Sequence, residues 1–164
     1  MRDHDCFSPT SSQARASRIL AVASGGGHWV QLLRLRPAFA PASVTWVSAS
    51  ERDRAQIGDE RFHCIPDGTR WSPFRLILVA MRLLIIILRS RPDIVVTTGA
   101  APGLLALILA RVLGRRTIWI DSIANVEQVS LSGRLARPFA SLWLTQWPHL
   151  ARPEGPTYQG AVLA

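Results

Sequence analysis

Short apolar runs alternate with helical patterns along this chain. Residues 18–24 (RILAVAS), 43–49 (SVTWVSA), 61–66 (RFHCIP), 93–99 (DIVVTTG), 116–121 (RTIWID) and 141–146 (SLWLTQ) each predict a strand. HWVQLLRLRPAF, 28–39, predicts a helix that stops near Pro37, because proline removes a donor from the helical ladder. SPFRLILVAMRLLIIILRSR, 72–91, predicts a long helix. PGLLALILARVLG, 102–114, predicts another, with proline just inside its start and glycine just past its end. SGRLARPFA, 132–140, predicts a short helix, and the polar stretch 50–60 a loop or weak helix. Pro148, Pro153 and Pro156 mark an irregular closing tail.

Strands that lack polar alternation and are separated by helices indicate a parallel sheet covered on both faces. The expected fold is therefore α/β, a Rossmann-like open parallel sheet with helices on both faces. A chain of 164 residues can bury one proper core. We expect a single domain over 18–164 behind a disordered tail over 1–17, whose lack of an apolar run excludes a signal peptide.

The long helix changes this picture. Arg75, Arg82 and Arg89 recur every seven residues and form one stripe, on which Val79 and Ile86 also fall. The remaining positions are almost all apolar, so the helix is greasy nearly all round. Only one face can pack on the sheet. A membrane span is excluded by topology if the strands before and after it share one sheet. The pattern predicts a helix lying in the membrane interface, its arginines reaching lipid phosphates. The alternative is a helix covered by a partner protein. Helix 102–114 is assigned mainly to the core.

Charge points the same way. Apolar residues make up 48% of the chain, the formal charge is +8, and all 19 basic residues are arginine. Such a chain suits anionic lipid or a phosphorylated substrate. Nucleic acid is the weaker partner, because the arginines are scattered rather than striped along a polar face. Cys6 and Cys64 have no CxxC spacing and suggest neither a metal site nor a disulfide.

Candidate chemistry gathers where ligands bind in such sheets, beyond the carboxyl ends of the strands. Ser24, Gly25, Gly26, Gly27 and His28 follow the first strand, Thr97, Thr98 and Gly99 the fourth, and Asp121 and Ser122 the fifth. The glycine turn is not a GxGxxG fingerprint, because Val30 stands where the last glycine belongs, and it lacks the Walker lysine. Glycines still permit close backbone approach, and free N–H groups at a helix start attract anions. His28 can donate to a phosphate or take a proton; the plainer alternative is a tight turn with an incidental histidine.

SGGGHWVQLLRL, the stretch from RPDIVVTTGAAPG to SLWLTQW, and the closing YQGAVL together resemble a known family. It comprises the membrane-associated subunit of the two-chain UDP-N-acetylglucosamine transferase that extends dolichol-linked oligosaccharide, and its PssD-like bacterial exopolysaccharide counterparts. The resemblance covers roughly residues 18–163 and implies one half of a GT-B glycosyltransferase, similar to the amino-terminal half of MurG. That half holds a polyprenyl-linked acceptor at the membrane, and a second chain holds most of the UDP-sugar site. The family's glycine-histidine turn maps onto Gly26, Gly27 and His28, and its TGAAP segment onto Thr98, Gly99, Ala100, Ala101 and Pro102. Further segments map onto Ile120, Asp121, Ser122, Ala124 and Asn125, onto Ser130, Leu131, Ser132, Gly133 and Arg134, and onto Gln146 and Trp147. Asp121 replaces the commoner glutamate, and Asn125 stands where arginine is usual.

By this resemblance His28 and Asp121 are the candidate bases of an inverting transfer. Asp121 has the alternatives of orienting the acceptor sugar or capping the following loop. Gly25, Gly26, Gly27, Thr98, Gly99, Ala100, Ser122, Asn125, Ser130, Ser132 and Arg134 are candidates for acceptor or phosphate contacts, with a helix cap at Ser132 as the alternative there. Gln146, Trp147 and Tyr158 are candidates for the subunit junction, and Arg75, Arg82 and Arg89 for membrane contact. No metal or other cofactor is expected beyond the UDP-sugar donor. The expected place is the cytoplasmic face of the inner membrane, held peripherally without the amino-terminal membrane helix of the eukaryotic members. A non-catalytic scaffold for a neighbouring transferase and a self-sufficient nucleotide-binding Rossmann protein remain as alternatives.

Overall fold

A computed structural model describes residues 16–66 and 73–162. Apart from Ala16 and Ser17, the expected tail lies outside the described residues, as does the first residue of the expected long helix. The chain runs β1 (Arg18–Val22), α1 (Gly26–Arg34), β2 (Ser43–Ser48), β3 (Arg61–Cys64), α2 (Pro73–Ser90), β4 (Ile94–Thr97), α3 (Ala100–Val112), β5 (Arg116–Ile120), α4 (Leu131–Ala136), β6 (Leu142–Thr145) and β7 (Thr157–Tyr158). Short 3₁₀ segments occupy Arg36–Phe39, Glu51–Gln56, Arg137–Phe139 and Pro148–Leu150.

All strands of the seven-stranded sheet pair in parallel, in the order β3-β2-β1-β4-β5-β6-β7. The expected Rossmann-like open sheet is thus the fold. Strand alternation divides the core in two. Ile19, Ala21 and Ala23 point to one face, where Trp29 and Leu32 of α1 pack with Trp46 and Phe62. Leu20 and Val22 point to the other, against Val79, Leu83, Ile86 and Ile87 of α2 and Ala106 and Ala110 of α3. The tryptophan indoles of Trp29 and Trp46 meet edge to face at 5.8 Å.

Several boundaries move. Helices α1 and α3 begin at Gly26 and Ala100 rather than at 28 and 102, because the residues directly after the Gly25 and Gly99 turns already belong to the helices. Helix α1 closes at Arg34, and Pro37 sits inside the 3₁₀ turn that follows. The strand β7 lies in what the sequence presents as a tail. On α2 the arginines and the apolar pair part company. Val79 and Ile86 are buried against the sheet, while Arg75, Arg82 and Arg89 are exposed. Beyond the arginines, Phe74, Ile77, Leu78, Met81, Ile85 and Leu88 form an exposed apolar face, with Phe74 79% accessible. Among the described residues no helix is long and apolar enough to cross a membrane.

Candidate functional site

The strand order reverses between β1 and β4, and in open parallel sheets the crevice outside the carboxyl ends at such a point is where ligands bind. The glycine turn leaves β1 on one side of this crevice, and Thr98 and Gly99 leave β4 on the other. Gly25 precedes α1 without a side-chain cap, and the first turn of α1 carries no acidic residue. Gly26 and Gly27 are exposed, with open space where a Cβ would stand. The amino end of α1 therefore offers uncapped N–H groups to an anion.

His28 joins the two sides. Its Nδ1 lies 2.8 Å from the carbonyl oxygen of Thr98, and the Thr98 hydroxyl donates back to the His28 carbonyl at 2.7 Å. A carbonyl only accepts, so Nδ1 carries the proton, and the neutral ring keeps its lone pair on Nε2. The Thr98 carbonyl, one residue past β4, thereby selects the Nδ1–H tautomer. Gly99 is required for this fit. Its φ of +126° lies in the region that favours glycine, and a Cβ there would stand 2.9 Å from His28 Cε1. Ala100 follows at φ +63°, a left-handed position unusual for a residue with a Cβ.

Asp121 is 1% accessible, and its carboxylate is engaged on both oxygens within the domain. Its Oδ1 accepts from Trp119 Nε1 at 3.2 Å and Ser130 Oγ at 2.5 Å, and its Oδ2 from Ser130 N at 2.9 Å and Asn125 Nδ2 at 3.2 Å. Those donors account for both oxygens, and the carboxylate staples the loop between β5 and α4. Its loop-capping alternative is the one the geometry favours. Ser130, not Ser132, caps α4, its Oγ accepting from Gly133 N at 2.8 Å. Gly133 packs so closely that a Cβ would lie 2.7 Å from Asp121 Oδ1.

Gln31 went unnoticed in the sequence. Its amide nitrogen donates to Gly27 O at 3.1 Å and Ser122 Oγ at 3.0 Å; its oxygen accepts from Ile123 N at 3.0 Å and Gln146 Nε2 at 2.7 Å. Gln146 also donates to Asp121 O at 3.0 Å and accepts from Val162 N at 3.0 Å. Gln146 is 3% accessible, its side chain engaged within the domain. Trp147 is partly buried, its indole donating to Ile123 O at 2.8 Å. Tyr158 remains exposed on the edge strand β7. Ser132 is partly exposed, and Arg134 lines a separate open groove of about 590 Å³ with Arg137, Trp143 and Arg152. That groove includes neither His28 nor the glycine turn in its lining. Among the described residues no three His, Cys, Asp or Glu side chains gather as a metal ion would require.

The fold is shared with known proteins. MurG of Acinetobacter baumannii superposes with a TM-score of 0.72 at 14% identity, over 87% of this chain and 45% of MurG. The UDP-N-acetylglucosamine 2-epimerase of Rickettsia bellii superposes with a TM-score of 0.68 at 10% identity, over 90% and 46%. Fold and crevice together define an α/β protein of the architecture found in GT-B glycosyltransferases and these epimerases. Residues 60–162 match the family described as "Oligosaccharide biosynthesis protein Alg14 like". The chain belongs to the Alg14 family. It is similar to the UDP-N-acetylglucosamine transferase subunit ALG14 of Mus musculus, 28% identical over 81% of this chain and 76% of that protein. It is also similar to that of Eremothecium gossypii, 42% identical over 40% of this chain, a stretch that takes in only 32% of that protein.

Proposed function

We propose that this chain is the acceptor-side subunit of a two-chain glycosyltransferase. The complex transfers a sugar from a UDP-sugar to a polyprenyl-diphosphate-linked acceptor in polysaccharide biosynthesis. A second chain supplies the UDP-sugar site, and the exposed apolar face of α2 rests on the cytoplasmic side of the membrane that carries the acceptor. What supports the reading is family membership, together with a histidine whose tautomer is set for proton abstraction at the mouth of the switch-point crevice.

In this reading His28 Nε2 takes the proton of the acceptor hydroxyl as its oxygen attacks C1 of the donor sugar. The bond from C1 to the UDP oxygen breaks with inversion. The N–H groups at the start of α1 hold pyrophosphate, and arginines offset the charge that develops on the leaving UDP. No metal or other cofactor takes part in this scheme. Asp121 is a positioning residue that fixes the loop carrying Ser122 and Asn125 beside the crevice.

The test is co-purification with the neighbouring transferase chain, followed by assay with a panel of UDP-sugars and lipid acceptors. His28→Ala in the assembled pair is expected to lower turnover by about 10²–10⁴-fold, the usual worth of a positioned general base. Full activity in that variant would remove the base role and leave the chain a scaffold.

A further inference from the structure

On the outer edge of the sheet, β3 and α2 enclose a notch of about 150 Å³ lined by His63, Cys64, Arg82, Ile85, Ile86 and Arg89. Strand alternation explains the place of His63. Phe62 packs into the α1-side core, so His63 is turned towards α2. Arg82 and Arg89, seven residues apart, stand about two turns from each other on α2 and edge the same hollow. Among the described residues the ion pairs are Arg18–Asp93 and Arg36–Glu60, so neither guanidinium of the notch has a carboxylate partner there. Glu51 and Asp53 bring negative charge to the Cys64 side of the notch, where Glu51 acts directly on the thiol.

Ile85 belongs both to this notch and to the exposed apolar face that runs through Leu78 and Met81. Fixed cations beside an unpartnered apolar row match an amphiphile with an anionic head. A water-soluble phosphate would use the cations and gain nothing from the row.

We infer that the notch seats the headgroup phosphate of an anionic phospholipid, whose acyl chains lie along the apolar face of α2. This rests on the reading of α2 as the membrane-facing helix. Arg82 and Arg89 grip the phosphate oxygens, and His63 supplies a further N–H. Partial burial and the charges of Arg61 and Arg89 hold the His63 imidazole below its ordinary value of 6.5. The ring is therefore neutral at neutral pH, and acidification adds a cation to the seat as pH falls through that lowered value.

Flotation of the full chain with vesicles tests this, using phosphatidylcholine alone or with added phosphatidylglycerol. The expected result is stronger binding to the charged vesicles. Arg75→Gln, on the same stripe outside the notch, should lower it about fivefold, the worth of one basic residue near an anionic surface. Arg82→Gln and Arg89→Gln should each lower it clearly more than that. Equal losses from all three would mean diffuse attraction and overturn the seat. Displacement from vesicles by millimolar inorganic phosphate would overturn the lipid as its occupant. Binding that ignores vesicle charge overturns the notch and leaves the membrane reading standing; flotation with neither vesicle overturns both. Binding to charged vesicles should strengthen as the pH falls below 6.5 and through the lowered His63 value, and His63→Gln should flatten that rise. A rise that survives His63→Gln removes His63 from the seat.

Discussion

At the scale of single residues, the hydrogen-bond partner of His28 decides its chemistry. Because Thr98 offers a carbonyl to Nδ1, the ring presents Nε2 as an acceptor to whatever enters the crevice. Gly99 keeps the ring in place, since its φ of +126° and the 2.9 Å from its notional Cβ to His28 Cε1 leave no room for a side chain. If His28 is the base, Gly99→Ala is expected to cut kcat about 10²-fold through a displaced imidazole. Steady-state kinetics of the assembled pair, read as kcat against KM, would show whether the loss falls on turnover. The glycine turn and His28 were legible because glycines after an apolar run announce a strand-to-helix turn. Gln31 was not. It reads as an ordinary polar position on a helix, and its partners Ser122 and Gln146 lie 91 and 115 residues away.

Among the elements, the loop between β5 and α4 is held by one buried carboxylate. A carboxylate can accept from all of Trp119, Asn125, Ser130 N and Ser130 Oγ, whereas an amide must turn its NH2 towards two of them. Asp121→Asn should therefore lower stability by about 1–3 kcal/mol, measurable by denaturant unfolding at neutral pH. Strands and helices were mostly visible in the sequence through their apolar runs. The misplaced starts of α1 and α3 have a common cause: Gly26 and Ala100 enter their helices at positive φ, which apolar periodicity does not record. The two-residue β7 escaped because Pro153 and Pro156 interrupt its neighbourhood and no apolar run marks it. Burial, not spacing, sorted the α2 stripe. Arg75 and Val79 differ by about 40° around the helix, enough to put one in solvent and the other in the core.

For the whole molecule, the sheet order puts the glycine turn and the Thr98–Gly99 corner side by side, although 70 residues separate His28 from Thr98. Open parallel architecture, Rossmann connectivity and family could all be read from the sequence, because each depends on the order of short words along the chain. If the donor site lies on a second chain, the isolated polypeptide should bind UDP-sugars weakly or not at all in a calorimetric titration. Tight binding would instead favour the self-sufficient nucleotide-binding alternative. The closing residues have a place in this geometry too. Val162 N donates to Gln146, Gln146 to Gln31, and Gln31 to the Gly27 carbonyl next to His28. The end of the described chain is thus mechanically in series with the amino end of α1. Trimming it would strip a lone pair of its donor in the dry centre of the domain, and the slack would be felt at the histidine.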